Sequence, residues 1–466
     1  MEIRAEDLLG VGSAAVVAPA GHGKTELITR LVEYGRRTLV LTHTHAGVNA
    51  IRQRLKRHGI PESAAAVDTI AGWSMRYANA FPGIAEPPAG MPNGAEWDQL
   101  YVGARKAVAE ISAVRQIVES SYDRILIDEY QDCSGLQHEL AVALSGVVPT
   151  LVFGDPMQGI FEFAGADLSW EGTIHAAFPY AGTLETPHRW ARTNPELGEW
   201  IADARERLAS GLELDFESCA SVTYRASVSA FDMGAFFDGM DGREGTFAAI
   251  HCRKDRCYAL AKATRGGYQA IEEVAANRLR SFADLWDRGN EGDKAGAVRE
   301  LLRDAFYKQA AGDGADVDPE SDALLAAMEP VAARLESAEG PAAALEILRI
   351  ARRIPAWKAY RGELLRDAER ALESLAAERS ETMADAVDKV RQRTGIVGRK
   401  LPKRTVSTPL LLKGLEFEHV LVPEARHFAT ERRAQAKLFY VAISRATSSL
   451  TITSPAPRLT FPVPAL

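Results

Sequence analysis

The chain has 466 residues, 46% hydrophobic and 25% charged, which supplies apolar mass for several cores and excludes wholesale disorder. Its formal net charge of -8, from 55 basic and 63 acidic residues, argues against coating nucleic acid by bulk electrostatics and confines any such contact to local basic grooves. Four cysteines, Cys133, Cys219, Cys252 and Cys257, are too few and too irregular for a disulfide framework or a zinc site, and fit a reduced, cytoplasmic protein.

The N-terminal MEIRAEDLLG is acidic and lacks an apolar core, and no run approaches 18 apolar residues, so neither a signal peptide nor a membrane span is expected. Residues 13 to 60 read as strand, turn, helix, strand, helix: "AAVVA" is a buried strand, 24 to 34 is helical, "RTLVLT" is a second strand, and 46 to 58 is helical. That alternation predicts a parallel sheet. The Pro- and Gly-rich 81 to 100, followed by a helical stretch to about 119, reads as a small insertion. Strand signals resume at "RILID", "PTLVFGD" and "GTFAAIHC". From about 256 to 392, Ala, Leu, Glu and Arg recur at helical spacing, interrupted by an exposed loop near 312 to 322. The last segment returns to strands, "HVLVPEA" and "SLTITS", around a helix that carries "KLFYVAISRAT".

The stretch "VVAPAGHGKTE", residues 16 to 26, has the residues of a phosphate-binding loop, with Ala18 where the simplest pattern has Gly. Ala20, Gly21, His22 and Gly23 form the turn, the two glycines letting backbone N–H groups face phosphates. The following helix adds its partial positive charge, Lys24 reaches the terminal phosphates, and Thr25 offers a hydroxyl to magnesium. A chance glycine turn is the competing reading, disfavoured by the strand before and the helix after. "RILIDEYQD", residues 124 to 132, delivers Asp128 to a metal and places Glu129 where a carboxylate can orient and deprotonate water. A solvated acidic turn is the competing reading, disfavoured once the phosphate loop is accepted.

These motifs, in this order, resemble a superfamily 1 helicase of the UvrD/Rep type. "LTHTHAGVNAIRQRL" resembles the first DNA-contacting motif, with Thr42, His43 and Thr44 ahead of a helix bearing Arg52 and Arg54, and "DTIAGWS" resembles the next, with Thr69 and Trp73. "VFGDPMQGIFEFAGAD" resembles the third motif, in which Gln158 would sense the terminal phosphate and Phe161 would meet a base. "PHRWAR" places Arg189, and "YVAISRA" places Arg445, as cations on the phosphate, while "STPLLLKGLEFEHV" sets Gly414 and Glu416 near the ribose. Glu26, counted with the nucleotide site, stands where a basic residue is common; Leu410 replaces a usual His, and Gly159 and Ala164 a usual Ser and Arg. No glutamine-containing adenine motif precedes the loop, so a preference for adenine comes from the resemblance alone. His43, Trp73, Tyr77, Phe161, Phe163 and Trp190 are the aromatic candidates for stacking on bases, although each taken alone is more often a core residue. The basic run "GRKLPKR" (398 to 404) reads equally as a phosphate track and as a solvated linker.

The resemblance implies an α/β fold: two RecA-like parallel-sheet P-loop domains, with a small insertion in the first and a helical insertion in the second. Residues 1–80 and 120–186 would form the first domain and 81–119 its insertion; 187–260 and 396–466 would form the second, with 261–395 inserted. It further implies ATP and Mg2+, hydrolysis stimulated by single-stranded or tailed DNA, and 3' to 5' movement. Compact chains of this kind also resemble the B subunit of the Gabija anti-phage system, which implies an alternative: an ATPase switch beside an OLD-family nuclease partner, unwinding little.

Overall fold

The computed structural model describes residues 2–89, 92, 94–160, 168–238, 243–271, 275–288, 290, 292–308, 319–397, 401–430 and 435–465. Phe161, Phe163, Ala164 and residues 398–400 of the basic run therefore lie outside the described residues. The chain divides into two compact units, one of Met1–Val222, Arg426–Ser448 and Arg458–Leu466, the other of Thr223–Ala425 and Ser449–Pro457.

The first unit is built on a six-stranded parallel sheet of β1 (Ala14–Val17), β2 (Thr38–Thr42), β3 (Ala65–Thr69), β4 (Arg124–Ile127), β5 (Thr150–Gly154) and β6 (Tyr180–Thr183). Their spatial order is β3-β2-β4-β5-β1-β6. The central strands read as continuous apolar runs because both faces are covered, so successive residues enter different cores. Leu39, Leu41, Ile125 and Ile127 pack on one side, with the helices Ile70–Ala80, Glu96–Glu110, Ser112–Ser121 and Gly135–Ser145. Val40, Leu126, Leu151 and Phe153 pack on the other, with the helices Lys24–Tyr34 and His45–Arg57.

The expected insertion at 81–119 is more than a loop and one helix. It forms two main helices that break at the extended residue Ile111, and Tyr101, Ala104, Val108, Val114 and Val118 join the sheet's own core. No Gly or Pro marks that break, so composition gave no sign of it. The strands β3 and β6 were not expected either. Both are edge strands of mixed burial, which weakens the apolar run that betrays a central strand. The stretch from Thr186 to Val222, with its helix Pro195–Ala209, groups with the first unit, as does the helix Gln435–Ile443.

The second unit carries a sheet in the order Gln269–Ala270, Arg404–Ser407, Phe247–Ile250, Phe417–Val422, Ala446–Ser454, Val222–Ala226. Its first four strands are parallel. Between Ala270 and Arg404, among the described residues, six helices pack around Leu279, Phe282, Trp286, Leu301, Leu348 and Leu365, as the helical spacing predicts. Two departures occur inside that region. The two-residue strand Gln269–Ala270 enters the sheet, and Phe306–Lys308 pairs antiparallel with Trp357–Ala359. Strands of two and three residues are too short to show a period.

Candidate nucleotide-phosphate site

β1 runs into the turn Ala18–Gly23, after which the helix Lys24–Tyr34 begins with Gly23 as its N-cap. Gly21 and Gly23 have φ of 75° and 91°, backbone that only glycine adopts freely, and space is the second constraint. A Cβ on Gly21 would lie 2.7 Å from the Trp190 ring and 2.8 Å from Cβ of Arg189, and one on Gly23 would lie 3.1 Å from His188. The Arg189 backbone N–H donates to the Gly21 carbonyl at 2.9 Å, so the "PHRWAR" stretch lies directly on the loop. His22 is buried, its Nδ1 2.8 Å from the Ala20 carbonyl. Burial lowers its pKa and favours the neutral ring, in which Nδ1 carries the proton that the carbonyl accepts. The Ala20 N–H donates to the hydroxyl of Tyr440 at 3.0 Å.

Lys24 is held from the far side by two carboxylates. Its Nζ is 2.8 Å from Oδ1 of Asp128 and hydrogen-bonded to Oε1 of Glu129, both at the end of β4. Burial alone would pull the Lys24 pKa down, but Asp128 and Glu129 overcome it and raise it, so the ammonium is firmly charged. Asp128 is shifted up by its own burial, against the pull of Lys24. Glu129 sits at φ 56°, a left-handed conformation rare outside glycine and of the kind that accumulates at functional sites. Gln131 bridges onward: its Nε2 donates to Glu129 Oε2, and its Oε1 accepts the Asp155 N–H at 3.1 Å. Gln158 is buried and donates to Asp155 Oδ2 at 3.1 Å.

The donor set fits a nucleotide triphosphate with magnesium. Among the described residues no cluster of three or more His, Cys, Asp or Glu forms a cage for a metal, and magnesium is ordinarily held by one or two carboxylates together with substrate phosphates. Asp128 and the Thr25 hydroxyl, flanking the N-terminus of the helix Lys24–Tyr34, are of that kind.

The other expected residues divide. Arg445 is 1% exposed and donates from Nε to the Val441 carbonyl and from Nη2 to the Ser444 hydroxyl, while Arg189 donates to the Ser444 carbonyl. Glu26 is turned away from the loop, 3.2 Å from both Arg30 and Arg54 and 3.4 Å from His58. Gly414, with φ 79°, and the exposed Glu416 belong to the second unit, before the strand Phe417–Val422.

Of the nucleic-acid candidates, Thr42 and Thr69 are register partners at the ends of β2 and β3. Thr44 and Thr69 cap the next helices by accepting from Gly47 and Gly72, so two helix N-termini open at neighbouring strand ends. His43 lies in the same turn, 3.5 Å from the Cys133 sulfur. Trp73, expected at a base-stacking surface, is wholly enclosed in the core and stacked on Tyr77 at 4.2 Å. Trp190 is also fully buried, its indole N–H donating to the Ala446 carbonyl. For both, large apolar area outweighs any demand for a wet stacking platform.

Tyr440, Arg205 and Gln131 were not assigned roles from sequence. Arg205 alone carried a signal, since it follows Leu197, Ile201 and Ala204 on the buried face of a helix, where an arginine needs a partner.

A search of curated proteins found no match. Among solved structures, the arterivirus nonstructural protein 10 helicase is similar both with DNA (11% identity, TM-score 0.36, 95% of this chain and 61% of that one) and in a second structure (13% identity, TM-score 0.36, 95% and 60%). The chain thus spans less than two thirds of the length of those relatives. Residues 74–171, the stretch that contains Asp128, Glu129, Asp155 and Gln158, match the family model of the UvrD/REP helicase N-terminal domain, the family that the order of motifs in this sequence resembles.

Proposed function

We propose that the chain is an ATP-dependent DNA helicase or translocase of the UvrD/Rep type, hydrolysing ATP in response to single-stranded DNA and moving 3' to 5'. The observation that carries this reading is the pairing of Lys24 with both Asp128 and Glu129 at the mouth of a strand–loop–helix turn. Three charges of that kind serve phosphate transfer: a cation for the terminal phosphates, a carboxylate for the metal, and a carboxylate for the attacking water. Bound magnesium would supply charge neutralisation on the phosphates. The chain's own contribution is positioning. The loop's N–H groups and the helix N-terminus bind phosphate, Gln131 holds Glu129 to aim a water, and Arg189 and Arg445 supply positive charge within the same unit. For DNA, the paired helix N-termini after Thr42 and Thr69 offer backbone donors to phosphates.

The second reading, an ATPase switch in an anti-phage assembly with an OLD-family nuclease, rests on the insertion at 81–119, whose Tyr101, Ala104, Val108, Val114 and Val118 pack into the core of their own sheet and so are not available to grip duplex. Steady-state ATP turnover by the purified chain, with and without single-stranded DNA, tests the principal proposal, with Lys24→Ala as control. DNA-stimulated hydrolysis that Lys24→Ala abolishes is expected; absence of hydrolysis under both conditions overturns it.

A further inference from the structure

Asp155 is 1% exposed and accepts four hydrogen bonds. Oδ1 takes two from Arg205, Nε at 3.1 Å and Nη2 at 2.8 Å, and one from the Met157 N–H at 3.1 Å; Oδ2 takes the Gln158 carboxamide at 3.1 Å. Arg205 is 8% exposed and projects from the helix Pro195–Ala209 among Leu197, Ile201 and Leu208. Burial works against its charge, but Asp155 outweighs that and raises its pKa, so the pair is ionic. An enclosed ion pair of this kind contributes little more to stability than apolar packing of equal volume, because both charges must leave water. What an apolar contact cannot do is fix direction. With Arg205 and the Met157 N–H on Oδ1, Oδ2 is left to take the Gln158 carboxamide, which turns its N–H end toward Asp155.

The arrangement reaches the rest of the phosphate site. The Asp155 N–H holds Gln131, which holds Glu129, and the Tyr440 hydroxyl takes the Ala20 N–H of the loop. Burial and the charge of Asp155 both push the Tyr440 pKa up, so it stays a neutral phenol throughout the working range. All of these residues lie in the first unit.

We infer that Arg205 is a positioning residue of the phosphate site, clamping Asp155 so that the Gln158 carboxamide is aimed at the terminal phosphate. This rests on the reading of the site as an ATPase. Arg205 touches no reacting atom, and its effect passes through Gln158.

The test uses the full chain and four variants: Arg205→Met, Arg205→Met with Asp155→Asn, Gln158→Ala, and Arg205→Met with Gln158→Ala. The Asp155→Asn change removes the charge that Arg205→Met would leave unpaired, so the measurement survives if the single variant folds poorly. Turnover per folded molecule, binding of a fluorescent ATP analogue and Tm are recorded. Removal of the Arg205 clamp, alone or with Asp155→Asn, should lower kcat by about tenfold or more, the usual effect of a supporting partner, with ATP-analogue affinity nearly unchanged. On the Gln158→Ala background Arg205→Met should add little, because the group it aims is gone. Recurrence of the full loss on that background, or wild-type kcat per folded molecule, overturns the inference. Inactivity of the wild-type chain would instead remove the ATPase reading, and this inference would fall with it.

Discussion

The guanidinium of Arg189 donates to the Ser444 carbonyl at 2.7 Å, and that of Arg445 donates to the hydroxyl of the same serine at 2.9 Å. The two arginines that the motif order assigns to the phosphate, 256 positions apart in the chain, therefore meet just beyond the C-terminus of the helix Gln435–Ile443. A helix C-terminus carries partial negative charge and satisfies a cation there with backbone oxygens. Both arginines are thereby stored on one serine, and Arg189 meets the loop at Gly21 through its backbone N–H.

The first prediction concerns that store. Arg445→Ala should lower ATP turnover on the order of 10³-fold, the effect of removing an arginine that stabilises transferring phosphate, while ATP affinity changes little. Separate measurement of kcat and nucleotide affinity decides it, and a variant impaired mainly in binding would contradict the assignment.

The phosphate-loop residues should separate binding from chemistry. Lys24→Ala is expected to abolish nucleotide binding or turnover. Glu129→Gln, equal in shape, should bind ATP and hydrolyse it slowly, because the carboxylate charge that orients and accepts a proton is lost, while Lys24 keeps its pairing with Asp128. Single-turnover hydrolysis alongside equilibrium binding checks both, and wild-type turnover by Glu129→Gln would sink the role of this carboxylate.

Lys24→Ala should also make stability depend on pH. Without the ammonium, Asp128 stays buried beside Glu129, and its pKa, already raised by burial, climbs further. A carboxyl whose folded pKa exceeds its unfolded value favours the folded state at low pH, and that advantage is lost as pH rises through the folded pKa. The variant should therefore lose stability relative to wild type at pH 8, on the order of 2 kcal/mol, below the 3–5 of a wholly buried pair because the Glu129 side chain is 34% exposed. The gap should narrow at pH 5. Tm measured across that range for both chains tests the sign, and a gap that widens toward acid refutes the account.

The sequence made the candidate phosphate site legible because its signals are local: a glycine turn between an apolar strand and a helix, and two adjacent acids ending another apolar strand, are contiguous. What it hid is the support. Tyr440 reaches Ala20 across 420 positions, and Arg205 reaches Asp155 across 50, pairings that no spacing rule connects. Trp73 shows the opposite failure. Its place in a motif drew it toward DNA, whereas its area placed it in the core. The helical region was clear from its period, and only its strands of two and three residues were lost.

The last prediction follows from how the insertion at 81–119 is spent. Tyr101, Ala104, Val108, Val114 and Val118 face the helices Ile70–Ala80 and Gly135–Ser145 and the sheet beneath them, so the segment completes a core and is not free to project as a clamp. Strand separation needs a surface that holds duplex while the motor pulls single strand, and residues committed to the core of their own domain cannot provide it. On the proposed reading, the edge at Thr42 and Thr69, where two helix N-termini open, would still offer backbone donors to phosphates. Stimulation of ATP hydrolysis by single-stranded DNA should accordingly persist and fall steeply with salt, since phosphate contacts release counterions. Displacement of long 3'-tailed duplex by the chain alone should be weak, and a protein partner should supply the missing grip. A strand-displacement assay run beside the ATPase assay separates the outcomes: DNA-stimulated turnover with little displacement supports the argument, and processive unwinding without a partner overturns it.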